Sequence, residues 1–243
     1  MSPAENIVLL LVLCGLLSIL SYRLGLLSRS GSFAALWVGV LIGIFGSFLW
    51  LIVLLVFTVA GFAATRYKFD LKEKKGLQEG KKGERTWKNV VANGLVPLVI
   101  AIIFYAAGQQ DSDLARLTYI TAIAVAASDT IASEMGVISA KVYLITTFKR
   151  VEPGVDGGIS AYGTAWALFG SIFASLLGWV LLFPGMMFDA RILVPLVLGF
   201  VGCNIDSLIG ATLETWGYVD KLGNNISSMA ISSIIGYAIL LTV

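Results

Sequence analysis

The chain has 243 residues and a formal net charge of +2; hydrophobic residues make up 58% of it and charged residues only 13%. Together with a mean hydropathy of +0.89, this composition excludes a water-soluble globular domain and indicates a polytopic helical membrane protein. The sequence contains no histidine, so the usual general base and the usual zinc or copper ligand is missing. Any metal would be held mainly by oxygen atoms, which suits Mg2+ or Ca2+, and no nucleic acid is expected as a partner.

Apolar stretches follow one another along the chain, at about 7 to 22, 32 to 64, 93 to 108, 117 to 138, 160 to 183, 192 to 212 and 226 to 243. The first has Glu5 as its only early charge; it lacks the cationic flank of a signal peptide and is interpreted as a retained helix. The second would span about 50 Å as one helix, and Gly43, Gly46 and Ser47 lie near its middle, so two short helices are predicted. We therefore predict an all-α fold of about eight transmembrane helices, with six or seven as alternatives, in one membrane domain over residues 1–243.

The distribution of cations predicts the orientation. If the stretch from 32 to 64 forms a hairpin, only Arg116 and Arg191 of the 17 lysines and arginines lie on one side of the membrane, and the other 15 lie opposite. The positive-inside rule then places the amino terminus outside and three polar segments in the cytoplasm, the basic loop at 65–93 and the segments at 139–160 and 215–225. Segments on one side can converge, so a site facing the cytoplasm is expected.

Two carboxylates lie within segments that should cross the membrane. Asp129 is followed by a threonine and Asp206 by a serine, and each lies about 12 to 14 residues past the start of its predicted helix, at a similar depth. A carboxylate in hydrocarbon costs roughly 2.5 to 3.5 kcal/mol on insertion scales, so such residues usually face the bundle interior and serve a site. An oxygen-rich zone extends from them toward the cytoplasm through Glu134, Asp156, Asn204, Glu214, Asn224 and Asn225.

The first polar segment is rich in cations. Its cluster at residues 72–75 is interpreted as a solvated surface that lies against anionic lipid headgroups. Arg85, Asn89 and Asn93 are spaced four residues apart, so on a helix they would share one face that continues into the membrane. With Lys82 nearby, this face offers cations and carboxamides to the phosphate of a ligand at the bilayer surface.

The second polar segment contains a short glycine-rich run. Gly154, Gly157 and Gly158 would let the backbone approach a ligand closely. Ser160 stands where the next helix begins, so free N–H groups there could receive a phosphate. Alone, such a run is more typical of a plain turn; beside the cationic residues 149 and 150 and the intramembrane aspartates, it favours a phosphate site.

Five short blocks occur in the order of a known family: Lys82-Gly-Glu-Arg85 with Asn89-Val-Val-Ala-Asn-Gly94, then Ala127-Ser-Asp-Thr-Ile-Ala-Ser-Glu-Met-Gly136, Pro153-Gly-Val-Asp-Gly-Gly-Ile-Ser160, Asp206-Ser-Leu-Ile-Gly-Ala211 and Gly223-Asn-Asn225. On these blocks, from about residue 66 to the carboxyl end, the chain resembles the transmembrane protein 19 family, which includes plant phytyl-phosphate kinase. Val155 stands where the family usually has Thr, and Ser128 replaces an Ala. The resemblance implies a kinase that uses a nucleoside triphosphate, CTP being favoured, on an isoprenoid substrate.

The residues and the resemblance lead to one hypothesis, a Mg2+-assisted kinase that converts a prenyl monophosphate of phytyl or geranylgeranyl type to the diphosphate. Asp129 and Asp206 would coordinate Mg2+, with Glu134 assisting. The residues expected to hold or orient the nucleotide and the phosphates are Lys82, Arg85, Asn89, Asn93, Lys149, Arg150, Gly154, Asp156, Gly157, Gly158, Ser160, Asn224 and Asn225.

Two alternative functions stay open. A cytidylyltransferase that forms a CDP-lipid needs the same nucleotide and metal. An ion-coupled membrane transporter would also place paired carboxylates on glycine-interrupted helices.

Overall fold

The computed structural model describes residues 3–242; residues 1, 2 and 243, the ends of the predicted domain, lie outside this range. Within it the chain is largely helical, as predicted. The helices are α1 Pro3–Arg23, α2 Arg29–Phe45, α3 Phe48–Arg66, α4 Phe69–Lys74, α5 Trp87–Ala106, α6 Asp113–Gly136, α7 Ala161–Leu182, α8 Leu193–Ile209 and α9 Lys221–Leu240.

The lengths and hydropathy of these helices are those of a polytopic membrane protein. In the described range, six segments are long and apolar enough to cross a bilayer: α1 from Glu5, α3, α5, α6, α7, and α8 with its flanking turns from Ala190 to Glu214. Helix α2 is apolar but has only 17 residues, and the 20 residues of α9 include four serines and two asparagines. The all-α membrane class is confirmed, and the number of candidate spans agrees with one of the predicted alternatives, six, rather than with eight.

The long apolar stretch breaks into two helices near its middle, as predicted. Helix α2 ends at Phe45, and Ser47 caps α3 by accepting a hydrogen bond from the Trp50 N–H at 3.3 Å. The hairpin brings the end of α3 back to the end of α1, where the Arg66 guanidinium donates to the Gly25 carbonyl at 3.0 Å. The cationic segment after α3 therefore lies at the same end of the bundle as the α1–α2 turn.

The two cations assigned to the other side lie together at the opposite end of the bundle. Arg191 donates to Asp113 at 3.0 Å and to Asp189 at 2.8 Å, and Arg116 lies 3.9 Å from Asp113. The hydrogen bonds from Arg191 hold the pKa of the Asp189 carboxyl below its usual value. Asp113 begins α6 and Arg191 precedes α8. These ion pairs therefore connect the starts of the two helices that carry the aspartates.

Helix α6 forms the centre of the bundle and packs against α3, α5, α7, α8 and α9. Glycines make the closest contacts possible: an added Cβ at Gly170 of α7 would lie 2.7 Å from the Ala127 carbonyl oxygen, and one at Gly202 of α8 would lie 2.7 Å from Val125. Helix α1, by contrast, packs mainly on α2 and leaves a row of apolar side chains exposed for lipid. The close approach of α6 and α8 lets their aspartates share one space.

A small antiparallel sheet, absent from the sequence prediction, folds the segment between α6 and α7. Strands β1 Val142–Leu144, β2 Arg150–Val151 and β3 Gly158–Ile159 pair in the order β2-β1-β3. Strands of two or three residues are too short to show an alternating pattern, which explains why they were not predicted.

The basic loop is shorter than the predicted 65–93, because helices extend into it from both sides. Helix α3 continues to Arg66, and α5 begins at Trp87. The Thr86 N–H and hydroxyl both bond to the Asn89 side-chain oxygen, at 2.9 and 3.1 Å, and this capping interaction fixes the start of α5. Arg85 therefore precedes the helix, and the predicted helical face shared by Arg85 and Asn89 is wrong.

The orientation can be tested by labelling single cysteines on either side of α5. Lys81→Cys and Asp111→Cys both replace exposed residues, and the 20 residues of α5 between them span about 30 Å. In a background with Cys14 and Cys203 replaced by serine, an impermeant thiol reagent added to intact cells should label position 111 and spare position 81. Labelling of both positions from outside would contradict a crossing by α5, and labelling of position 81 alone would reverse the orientation.

Candidate functional site

A polar cavity of about 520 Å³ opens at the end of the bundle where the three polar segments meet. The segments come together there: Gly154 of the second lies against Leu77 of the first, and Lys88, Asp156 and Lys221, one residue from each segment, line the cavity. Their predicted convergence is therefore confirmed. The volume is in the range of small-molecule sites, roughly 300 to 1,000 Å³.

The two intramembrane aspartates lie side by side in this cavity. The Asp129 and Asp206 carboxylates both line it and are close enough to interact electrostatically with each other. Asn225 donates to Asp129 at 3.4 Å, and Ser228 donates to Asp206 at 3.2 Å. Within residues 3–242, neither carboxylate has a lysine or arginine nitrogen within 4.0 Å. Two adjacent carboxylates repel each other unless they share a proton or a cation lies between them.

The chemistry of this pair fits Mg2+ better than a metal that needs a full protein cage. Across the part of the chain that the structure describes, no group of three or more acidic or cysteine side chains is arranged to hold a metal ion. Mg2+ keeps several waters and is commonly bound by one or two carboxylates together with substrate phosphates. Asp129 and Asp206 could supply those two carboxylates.

Three cations line the same cavity: Arg85, Lys88 and Lys221. Only Arg85 was predicted. Lys221 lies one helical turn before Asn225 on α9, and this spacing of four residues was the signal in the sequence that could have identified it. Cations and carboxylates in one cavity can hold the phosphates and the metal of one nucleotide.

Backbone and side-chain bonds fix the position of Arg85 at the wall of the cavity. Its N–H donates to the Leu26 carbonyl at 2.9 Å, and its carbonyl accepts from Ser28 at 3.0 Å. The guanidinium is buried and donates to Thr65 Oγ1 at 3.0 Å, while its Nε has no partner among residues 3–242. Burial lowers the pKa of Arg85, and the Glu134 carboxylate opposes this shift, so the group stays protonated.

Glu134, predicted to assist with the metal, is held by the protein itself. One of its oxygens accepts from Lys72 Nζ at 2.7 Å and the other from Thr65 Oγ1 at 2.7 Å, and Arg85 lies 3.7 Å away. We call these four residues the ion cluster: Thr65, Lys72, Arg85 and Glu134. Because the cluster already compensates its charge, Glu134 has contacts typical of a positioning residue rather than a metal ligand.

The prediction that residues 72–75 form a solvated surface is wrong for Lys72, which is buried. Its side chain is only 1% exposed, and its ammonium group also donates to the Ala64 and Thr65 carbonyls at 2.8 and 3.2 Å. Helix α4 turns this one lysine inward, while Lys74 and Lys75 stay exposed. A run of cations with no apolar periodicity gave no signal of which member would be buried.

The glycine-rich run contacts protein on one side of the cavity. Gly157 has a φ of +74°, and an added Cβ there would lie 2.6 Å from the Ser207 carbonyl oxygen. A glycine is thus required at position 157 because the loop packs directly on α8, independently of any role in phosphate binding. Ser160 caps α7 by accepting from the Gly163 N–H at 3.0 Å. Gly154, Asp156, Gly157, Gly158 and Ser160 all line the cavity.

The asparagine side chains of the site make hydrogen bonds within the protein, and some of their polar atoms have no partner among the described residues. Asn89 donates to Glu79 at 3.3 Å, and Asn224 donates to the Asp206 carbonyl at 3.1 Å and to Glu214 at 3.0 Å. Asn93 donates to the Asn89 carbonyl at 3.1 Å, but its side-chain oxygen is buried and has no partner within the described range. Helix α8 widens into a π-turn at Gly210–Glu214, a feature frequent at functional sites, and Glu214 lines the cavity there.

Three predicted phosphate ligands do not line the cavity: Lys82, Lys149 and Arg150. The side chains of all three are exposed. The Lys82 N–H donates to Glu84 at 2.6 Å and lowers the pKa of that carboxyl, and the Arg150 guanidinium donates to the Ala140 carbonyl at 3.3 Å. The turn after α4 and the β1–β2 hairpin direct these cations to the surface instead.

The fold and the cavity define an integral membrane protein whose acidic and basic groups converge at one end of an apolar bundle. Over residues 12–240 the chain matches the family of integral membrane proteins known as DUF92, and it belongs to that family. It is 33% identical to an uncharacterized membrane protein of Methanocaldococcus jannaschii over 235 residues, covering 96% of this chain and 93% of the relative.

Two relatives come from Arabidopsis thaliana. The chloroplastic protein VTE6 is 32% identical over 216 residues, which cover 86% of this chain and 64% of VTE6. Protein PGR is 29% identical over 243 residues, which cover 89% of this chain and 82% of PGR. These matches confirm the resemblance to the transmembrane protein 19 family, and no solved structure matches the chain significantly.

The ion cluster generates a prediction about stability. Lys72→Met should lower the free energy of unfolding in detergent by about 3 to 5 kcal/mol, because it removes a partner from a buried ion pair and leaves Glu134 undercompensated. Lys74→Met, in the same helix but exposed, is the matched control and should stay near wild type. Equal stability of the two variants in denaturant titrations would contradict the structural role of the cluster.

Proposed function

We propose that this protein is a prenyl-phosphate kinase, which transfers the terminal phosphoryl group of a nucleoside triphosphate to a prenyl monophosphate at the cytoplasmic face of the membrane. The observation that carries the proposal is the presence of two adjacent carboxylates and three cations in one cavity at the end of an apolar bundle. CTP is the favoured donor, and a phytyl- or geranylgeranyl-type phosphate is the favoured acceptor.

Phosphoryl transfer needs the functional groups that line this cavity. It depends on positioning and on charge stabilisation, with little covalent chemistry from the protein. Asp129 and Asp206 would hold Mg2+, which when bound supplies positive charge to the phosphoryl oxygens. Arg85, Lys88 and Lys221 would bind phosphate oxygens in the same cavity.

The acceptor explains why the reaction can proceed without histidine. A phosphate monoester has a second pKa near 6, so its oxygen is already anionic at neutral pH and needs no general base. That oxygen attacks the terminal phosphorus of the nucleotide and forms a new P–O bond. The bond between this phosphorus and the bridging oxygen breaks, and the nucleoside diphosphate leaves with the electron pair.

The family supports the same reaction class. The transmembrane protein 19 family, which the sequence blocks indicated, includes a plant phytyl-phosphate kinase, and the relative VTE6 matches 86% of this chain. The membrane-embedded position of the aspartates also suits a substrate whose phosphate lies at the bilayer surface while its hydrocarbon stays in lipid.

Isotope transfer tests which phosphorus is attacked. Purified protein incubated with geranylgeranyl monophosphate and CTP labelled on its terminal phosphorus should yield labelled geranylgeranyl diphosphate and unlabelled CDP. Lipid labelled only from the innermost phosphorus, with pyrophosphate released, would identify a cytidylyltransferase. Ion-dependent uptake into vesicles without any lipid product would instead identify a transporter.

Charge variants test the carboxylates and the cations of the cavity separately. Asp206→Asn should lower kcat by roughly 100-fold or more, because a ligand of the charge-stabilising metal is lost. Lys221→Gln should raise KM for the nucleotide about tenfold, the worth of one charge-assisted hydrogen bond.

Matched controls for these variants lie outside the cavity. Lys141→Gln removes an exposed lysine at the same end of the bundle, and Asp111→Asn removes an exposed carboxylate at the other end. Both should retain wild-type kinetics and the wild-type melting temperature. Asp206→Asn should melt no lower than wild type, because it removes one of two carboxylates that repel each other. Wild-type turnover by Asp206→Asn over a full magnesium titration would contradict the proposed site.

A further inference from the structure

A second, apolar cavity of about 100 Å³ lies inside the membrane part of the bundle. Helices α1, α2, α3 and α5 form its walls. Its lining includes Cys14 on α1, Ala35 on α2 and Phe62 on α3. Two of the hydroxyls on its walls bond to backbone, Ser18 to the Ser32 carbonyl at 2.6 Å and Thr58 to the Leu54 carbonyl at 2.8 Å, so the space they face is effectively apolar.

The apolar cavity adjoins the polar one. Arg85, Asn89 and Asn93 belong to the walls of both. At this junction two buried polar atoms have no partner in the described range, the Nε of Arg85 and the side-chain oxygen of Asn93. A buried N–H donor without a partner is costly, and a phosphate oxygen of a ligand would satisfy it.

The two cavities together match an amphiphile. An anionic head would lie on the polar side, next to Arg85, and a hydrocarbon chain would continue from it past Phe62 between α3 and α1. An apolar cavity of about 150 Å³ accommodates a six-carbon ring, so about 100 Å³ corresponds to four or five carbon atoms. This is the size of one isoprene unit.

Helix α1 is suited to cover such a site from the lipid side. It packs mainly on α2, and one contact is the small cluster of Leu10 and Cys14 with Val40 and Leu51. Most of its other apolar side chains are exposed. The remaining length of a longer chain can therefore pass beside α1 into the bilayer without displacing the central helices.

We propose that the apolar cavity between α1, α2, α3 and α5 binds the first isoprene unit of the prenyl phosphate, with the free Nε–H of Arg85 holding the phosphate at the junction of the two cavities. This inference rests on the proposed kinase function for the identity of the ligand. It adds the location of the hydrocarbon. The residues that line this cavity would then select which hydrocarbon can stand next to the phosphate.

A filled cavity should exclude the hydrocarbon and leave the phosphate site intact. Ala35→Leu places extra carbon atoms in the cavity, whereas Ala34→Leu, its neighbour on α2, makes the same change at a residue that does not line it. Equilibrium binding of radiolabelled geranyl monophosphate should weaken at least tenfold in Ala35→Leu and less than twofold in Ala34→Leu. Competition by inorganic phosphate should be unchanged in both.

Ala35→Val is a milder variant that carries the same test if the leucine variant does not fold; its affinity should fall between those of wild type and Ala35→Leu. Turnover of geranylgeranyl monophosphate with CTP is measured in parallel. Equal binding by the variants at positions 34 and 35, or no binding of geranyl monophosphate by wild type, overturns the location of the isoprene unit, even if turnover is normal. Selective loss of binding at position 35 in a protein that turns over no prenyl phosphate supports the lipid site and overturns the kinase function alone.

Discussion

The arrangement of the polar cavity depends on the buried charge of Glu134. A carboxylate at this depth requires compensation, and the protein supplies it from residues far from Glu134 in sequence: Thr65 lies in the last turn of α3, Lys72 lies on α4, and Arg85 precedes α5. The same bonds bring the basic segment over the end of α6 and direct the Arg85 guanidinium toward the cavity. A structural ion cluster thus positions a cation that is available to a ligand.

The buried carboxylates differ in how their charge is compensated, and this difference distinguishes a structural group from candidate ligand-binding groups. Glu134 has an ammonium group at 2.7 Å and a hydroxyl at 2.7 Å, so its charge is compensated without any ligand. Asp129 and Asp206 have each other, an amide and a hydroxyl as neighbours, and no cation in contact within residues 3–242. A bound cation would relieve the energetic cost of such a pair, which is the condition expected of a binding site.

Much of the architecture could be predicted from the sequence, because apolar length and isolated charges are strong signals. The hairpin at Gly46 and Ser47, the cap of α7 at Ser160 and the two aspartates were all identified in this way. The inward turn of Lys72 was not, because a flexible cation in a run of cations can point either way until tertiary contacts decide. The spacing of Arg85 to Asn89 is helical and predicted a shared helix, yet the capping bonds of Thr86 make the helix begin at Trp87, two residues after Arg85.

The ion pair between Arg191 and Asp113 has a consequence at the far end of the bundle. Asp129 lies 16 residues after Asp113, and Asp206 lies 15 residues after Arg191, so each carboxylate is about 23 Å along its helix from this shared contact. The two helices therefore span nearly the same length between this ion pair and their aspartates. A slip of one helical turn between α6 and α8 would separate the carboxylates by about 5.4 Å along the bundle, too far for one ion to bridge both. The same register of α6 and α8 thus places an ion pair at one end of the bundle and the acidic pair near the other.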